Sequence, residues 1–431
     1  MLFCCGVSAK DWYVAQYAQG TGIGNTSNNA AAVAWLHLKS SWGPSTAQIA
    51  PGDTVYLVGN ISTNIFILGS GTQSQPIRIA FTKGATLSSE SWGSDQGAIT
   101  GRSQHNIIID GNCEGLIECT NNGSKPLFTK SERTKGIFID ACRGWLVQNM
   151  HIRNIYVALS NEQPNKVVAD AIYIRNSDNI MVVSNRIDLA SFGINFSLVN
   201  NTNLHIASNH ISRCGVAVFG GIGVDGAYAS GCSIHDNVIY DTTMWSYNDG
   251  IKLFGRPATR DAFENVEIFK NIIGPRISYE KHPSTAWILV ATGWFIRPRI
   301  HNNILIGDAS DNAANAYITV GGLNPVYNQG VCPMNSEIFN NTIVSDYPNV
   351  DVGIMISYPS TGHRIYNNIL YSKGALIGIY INDLTSSLDM CDYNCYFSET
   401  RLAFGNSLSL AQWRDTYRND INSLVLRPEF V

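Results

Sequence analysis

Charge is the scarcest commodity in this 431-residue sequence: only 14% of residues are Asp, Glu, Lys or Arg, and the formal net charge is -4. A nucleic-acid partner would want a basic face, so the balance speaks against one. An acidic polysaccharide is not excluded, because a local basic cleft can sit on an acidic protein. No apolar run reaches the roughly 18 residues that a membrane span needs, so no membrane partner is expected. The cysteines show no convincing zinc spacing. No coiled coil or long C-terminal trimerisation segment is visible, so a monomer is expected.

Residues 1–9 are apolar and close on Val7-Ser8-Ala9. They read as the remnant of a secretory signal, although a basic start is missing. A secreted, extracellular or periplasmic protein is the expectation. Cys113/Cys119 and Cys391/Cys395 are close enough in sequence to form small disulfide loops, which would fit export; equally, they can be apolar thiols stacked in a core. Residues 10–431 are expected to form one domain.

What the chain does have is a repeat. A unit of alternating apolar residues closing on Asn recurs at Asn149, Asn185, Asn209, Asn237, Asn271, Asn303, Asn341, Asn368 and Asn394, at spacings of 36, 24, 28, 34, 32, 38, 27 and 26. A minimum circumference with a variable excess fits a right-handed parallel β-helix, an all-β solenoid whose coils carry insertions; leucine-rich repeats or propeller blades would keep a stricter period. Asn tolerates left-handed backbone angles, and its amide can both donate and accept. Stacked ~4.8 Å apart at one corner, these amides would bond up the solenoid. The asparagines are therefore read as scaffold. Solenoid ends need caps. An amphipathic N-terminal capping helix is expected at about 27–41, and a C-terminal cap at about 408–431 with a short helix over 410–417.

Ala50-Pro51-Gly52-Asp53-Thr54-Val55-Tyr56-Leu57 and the later Gly71 to Ile79 run (GTQSQPIRI) resemble the opening coils of pectate-lyase-like β-helix proteins. The resemblance is to polysaccharide lyases of the chondroitinase B and alginate lyase kind, and residues 426–431 resemble that family's terminal strand. The resemblance implies a secreted carbohydrate-active enzyme acting on an acidic polysaccharide, with a Lys and an Arg on one face of the solenoid.

A strand preceding each Asn unit can be aligned by inward pairs such as Ile172/Ile174, Ile194/Phe196, Ile222/Val224 and Ile251/Leu253. Between and beside these pairs run outward columns that bring Tyr173, Arg175, Asn195, Asp225, Asp249 and Lys252 into one patch, with Asp170 beside them and Gly223 as floor. Two chemistries fit. In β-elimination from a uronic acid, Lys252 serves as base, Arg175 or Arg256 clamps the carboxylate, and Tyr173 protonates the leaving oxygen. Asp225 and Asp249 could then hold Ca²⁺ through oxygen ligands. In hydrolysis, Asp225 and Asp249 act as paired carboxylates; Asn248-Asp249-Gly250-Ile251 resembles the Thr-Asp-Gly-Ile stretch of polygalacturonases, but no carboxylate follows one coil later. The loop at 274–286 offers Glu280 and His282 for substrate binding, alongside Asn195, Asp170 and Arg256. Lys252 and Asp249 could instead simply pair. A third possibility is a non-catalytic polysaccharide-binding or tailspike-like protein, since fold alone does not decide function.

Overall fold

The computed structural model describes residues 9–94, 96–112, 115–158, 167–196, 200–221, 229–242, 249–254, 262–275, 286–291, 294–307, 316–321, 333–357, 359–382 and 386–429. Every strand pairing among them is parallel in the named sheets, which hold 17 and 23 strands. The chain is a parallel β-helix. Among the described residues a coil typically lays one strand in the smaller sheet, the first face, in places split in two as in Ala229–Ser230 and Ser233–His235, and then runs through the larger sheet, the second and third faces. In one coil these are Asp178–Val183 on the first face and then Arg186–Asn195, one long strand that runs through the second face onto the third. His210–Gly221 does the same in the next coil.

Period-two alternation fills the tube. On the first face Val147, Val182, Ile206, Ile234, Ile268, Ile300, Ile338 and Ile365 stack inward, each 0% exposed. Their strand neighbours point outward, and along one outward column His235, Phe269, His301, Phe339 and Tyr366 stack ring on ring. The core is continuous along the axis, and burial of β-branched side chains at each step holds successive coils together.

The corner between the first and second faces is an asparagine ladder. The Nδ2 of Asn185 donates to Oδ1 of Asn209 (3.0 Å), and the same bond repeats through Asn237, Asn271, Asn303, Asn341 and Asn368 to Asn394. Each Oδ1 also accepts the backbone N–H of the preceding Asn, and each Nδ2 also reaches a carbonyl of the preceding coil, as Asn209 does with Val182. Buried amides are thereby satisfied rather than left to cost ~1–3 kcal/mol each. The left-handed turn lies one residue earlier than expected: Ser184, Ser208, Asp236, Lys270, Asn302, Asn340, Asn367 and Tyr393 carry the positive φ. Asn149 belongs to that set (φ 56) and donates to Asp110, so the ladder position of its coil is Met150, whose N–H meets Asn185 Oδ1 at 3.0 Å.

The caps differ from each other. The expected N-terminal helix is instead three short 3₁₀ segments, Ser27–Asn29, Val33–His37 and Lys39–Ser41. The intervening Ala31–Ala32 pairs with Val14 and Ala15, and this recruitment into the sheet breaks the helix. Val33 and Leu36 still cover the first coil. At the other end Leu410–Tyr417 is a helix with a Ser409/Gln412 capping box. It buries Trp413, whose indole N–H donates to Asp420 (2.9 Å). The same carboxylate accepts from Asn394 (3.2 Å), Tyr396 (3.0 Å) and Cys391 (3.1 Å), and so ends the ladder. The last strand is Leu424–Val425, just before the stretch at 426–431 where a terminal strand was expected; the described residues 426–429 form none.

The six described cysteines, Cys391 and Cys395 included, are free thiols. Burial pushes the Cys119 and Cys214 thiols up to about 12, as expected of core packing. Cys113 lies outside the described residues. No helix among the described residues is long and apolar enough to cross a membrane.

Candidate functional site

On the third face the strands Lys135–Asp140, Asp170–Arg175, Arg186–Asn195, His210–Gly221, Asp249–Phe254 and Ala286–Ala291 lie side by side. Their register fixes the outward column as Phe138, Tyr173, Asn195, Phe219, Lys252, Leu289 and Thr319. The expected Ile222/Val224 alignment is therefore wrong: Val216 and Val218 pair with Phe192 and Ile194, and Phe219 stands where Gly223 was expected. The reason is the length of the arc. Nine residues separate Asn185 from Ile194, and the uninterrupted next coil spends the same nine from Asn209 to Val218. Asp225, Arg256, Glu280 and His282 lie outside the described residues.

Four sequence candidates come together at the upstream end, and they gather partners one coil earlier. Phe138 and Tyr173 stack at 5.5 Å with 14° between their planes. Cations surround the pair: Arg102 and Arg175 lie 5.3 and 5.4 Å from the Phe138 ring, and Lys135 lies 5.4 and 5.8 Å from Phe138 and Tyr173. Asp140 sits in register between Arg102 and Arg175 and takes a two-pronged bond from Arg175 (2.9 and 2.6 Å). Burial works against its charge, but the bonds and charge of Arg175, with Asn176 and Arg102, outweigh it and hold the carboxyl below its ordinary range.

Asp170 behaves oppositely. It is 2% exposed and accepts a hydrogen bond from Asn195 Nδ2 at 2.8 Å. Burial raises its carboxyl to about 6, a rise that the Asn195 bond and the charges of Lys135 and Arg133 only partly offset. Burial and nearby Asp170 push the Tyr173 phenol up to about 12, so it carries its proton at neutral pH. Two carboxylates a coil apart thus sit in opposite electrostatic states, a pattern that separates a proton donor from a structural anion.

Sequence reading missed Lys135, Phe138, Asp140 and Arg102. A signal existed: Lys-Gly-Ile-Phe-Ile-Asp at 135–140 has the form of Asp-Ala-Ile-Tyr-Ile-Arg at 170–175 and Asp-Gly-Ile-Lys-Leu-Phe at 249–254.

Lys252 is not part of that cluster. Its ammonium donates to Asp249 Oδ2 at 3.0 Å, both residues are buried, and the backbone N–H of Ala286 donates to Asp249 Oδ1 at 2.9 Å. Its column neighbours are Phe219 and Leu289, and the apolar group of Ala286, Leu289, Ala291 and Phe254 lies alongside. A cation bound at Asp249 would have to displace this ammonium; Asp225, the other ligand expected for Ca²⁺, lies outside the described residues.

No family model matches the sequence. No curated protein matches it either. Solved structures do match the fold. The DFA-IIIase from Arthrobacter chlorophenolicus A6, in complex with GF2, aligns with a TM-score of 0.59 at 12% identity, over 92% of this chain and 94% of that one. The GH136 lacto-N-biosidase from Eubacterium ramulus aligns with a TM-score of 0.57 at 12% identity, over 91% of this chain and 68% of that one. At such identity the likeness establishes the fold alone.

Proposed function

We propose that this chain is a carbohydrate-active enzyme that cleaves a glycosidic bond on the third face, with Asp170 donating the proton to the leaving oxygen. The observation that carries this reading is the Asp170 carboxyl itself, buried, oriented by Asn195 and raised to about 6. Such a group is half-protonated at about pH 6, far above the range of an ordinary carboxyl, and can release its proton as the bond breaks. Support also comes from the similar solved structures, whose names are those of saccharide-processing enzymes.

Hydrolysis needs a second carboxylate ~5–9.5 Å from the acid. Asp249 shares the Asp170 column but is three coil steps away, about 14 Å. Asp140 lies one coil back and five residues further along its strand, about 17 Å at ~3.3 Å per residue. Neither Asp249 nor Asp140 is therefore the second carboxylate of Asp170, and Asp225, the other acid expected from the sequence, lies outside the described residues. Tyr173 and Asn195 are assigned to positioning the sugar.

One observation favours a second reading, β-elimination from an acidic sugar. The cations Arg102, Lys135 and Arg175 around the ring pair could hold a uronate carboxylate. Lys252, committed to Asp249, is poorly placed as its base. Membership of the pectate-lyase-like group, export and a monomeric state belong to the proposal as well. The test is a screen of neutral and acidic saccharide polymers. Reducing ends without ultraviolet absorbance, lost in Asp170→Asn, support hydrolysis. Absorbing unsaturated ends would replace hydrolysis by elimination.

A further inference from the structure

A second cleft lies on the first face near the N-terminal end, away from the third face. Tyr13 and Tyr56 occupy matching positions on adjacent strands, Asp11–Ala15 and Thr54–Val58, and their rings stack at 5.1 Å with 19° between planes. Both rings are half-exposed. They wall a cavity of about 520 Å³, whose other side is Phe81, Thr82, Lys83 and Asn112.

The polar rim is fixed. Asn112 holds a left-handed backbone (φ 50), donates to Phe81 O at 2.8 Å and accepts from Arg78 at 2.6 Å. Thr82 Oγ1 donates to Leu57 O at 2.8 Å, which leaves its lone pairs to the cleft. Lys83 is exposed at the edge of the cleft.

We infer that this cleft is a secondary saccharide-binding site that anchors a polymer without cleaving it. The inference rests on the proposed function only for the class of ligand. Three features argue for a sugar chain. The tyrosines are locked by their strands and by each other, so little side-chain freedom is lost on binding. Their apolar surface suits the C–H face of a pyranose, while the hydroxyl, amide and ammonium of the rim suit its hydroxyls. The cleft is open to solvent, and an enclosing pocket would be expected for a small metabolite. Among the described residues the lining carries no carboxyl, and the nearby buried Asp110 is bonded to Arg78 and the Asn112 N–H and held below its ordinary range, so it is no proton donor. It lies three coils before the Tyr173 strand, about 14 Å along the axis and on a different face. One chain could therefore be held there while another part of the same polymer reaches Asp170.

The test uses the full-length protein in native gels cast with xylan, galactan, alginate or polygalacturonate, in an Asp170→Asn background so that cleavage does not interfere. The expected result is retardation by at least one polymer. Tyr56→Ala should weaken it by roughly tenfold, the scale of one lost aromatic stacking contact. Lys83→Glu, at an exposed position that folding does not need, should weaken it as well. With active protein, Tyr56→Ala should raise KM for the polymer and leave kcat on a short oligosaccharide unchanged. Retardation that survives both substitutions overturns the inference, and so does the absence of retardation by every polymer. Failure of cleavage in the wild type would sink the proposed function instead, and leaves the retardation assay standing as an independent result.

Discussion

Replacing Asp170 by Asn should stabilise the protein while abolishing its activity. The folded carboxyl binds its proton more tightly than an unfolded one, with a pKa of about 6 against 3.8. Stability from this group is therefore complete below about pH 4 and is lost as pH rises through about 6. The shift of about two units corresponds to ~3 kcal/mol, since each unit is ~1.4 kcal/mol. Asn has nearly the same shape, can still accept from Asn195, and never ionises. At pH 8 the variant should exceed the wild type by up to ~3 kcal/mol, and at pH 4 the two should coincide. Guanidinium unfolding midpoints at the two pH values, compared with activity, read this directly. A stabilised but inactive variant is the mark of a strained functional group. A variant less stable than wild type at pH 8, or changed equally at both pH values, would refute the reasoning.

His363 should act in the opposite direction: it is buried, and burial lowers it to about 4 against a smaller opposing effect of a Ser360 backbone hydrogen bond. Its contribution is present above pH 6.5 and falls by ~3 kcal/mol as pH drops to 4. Unfolding midpoints across pH 4–7 should thus rise more steeply with pH in Asp170→Asn than in the wild type; equal slopes in the two would contradict this. Asn271→Ala deprives Asn237 Nδ2 and N–H of their shared acceptor and Ile234 O of its donor. It should cost about 3–5 kcal/mol in denaturant unfolding, and a cost below 1 would deny the ladder its role. Lys252→Met strands the buried Asp249 carboxylate and should cost about 3–5 kcal/mol, most of it regained in the double variant with Asp249→Asn. If the double variant regains stability but not activity, Lys252 has a catalytic part after all.

The coil was legible because its determinants are local and periodic. Isoleucines alternate on each strand, and an amide must fill one corner of every turn. The same periodicity is ambiguous where one residue type fills two roles: Asn occupies both the left-handed position (Asn302, Asn340, Asn367) and the ladder position after it (Asn303, Asn341, Asn368), so sequence alone does not tell which of the two a lone Asn such as Asn149 takes. The N-terminal segment reads as a helix, but strand pairing by Ala31 and Ala32 is a tertiary effect. In the site, Tyr173, Arg175, Asn195 and Asp170 were found because coil register aligns them. Two similar patterns six residues apart, Val-Ala-Val at 216–218 and Ile-Gly-Val at 222–224, made the next coil ambiguous. Asp249 and Lys252 are three apart, which would separate them on a regular strand, yet they meet at 3.0 Å. Burial of Asp170, on which its chemistry rests, depends on everything packed around it and has no sequence signature.

The most direct measurement is product formation from a panel of neutral and acidic saccharide polymers by the wild type and by Asp170→Asn, with reducing ends and ultraviolet absorbance read together. New reducing ends without absorbance, reduced at least ~100-fold in the variant, is the expected result. Undiminished cleavage by Asp170→Asn, or no cleavage of any polymer by the wild type, would contradict the assignment of Asp170 as the acid of a saccharide-cleaving enzyme.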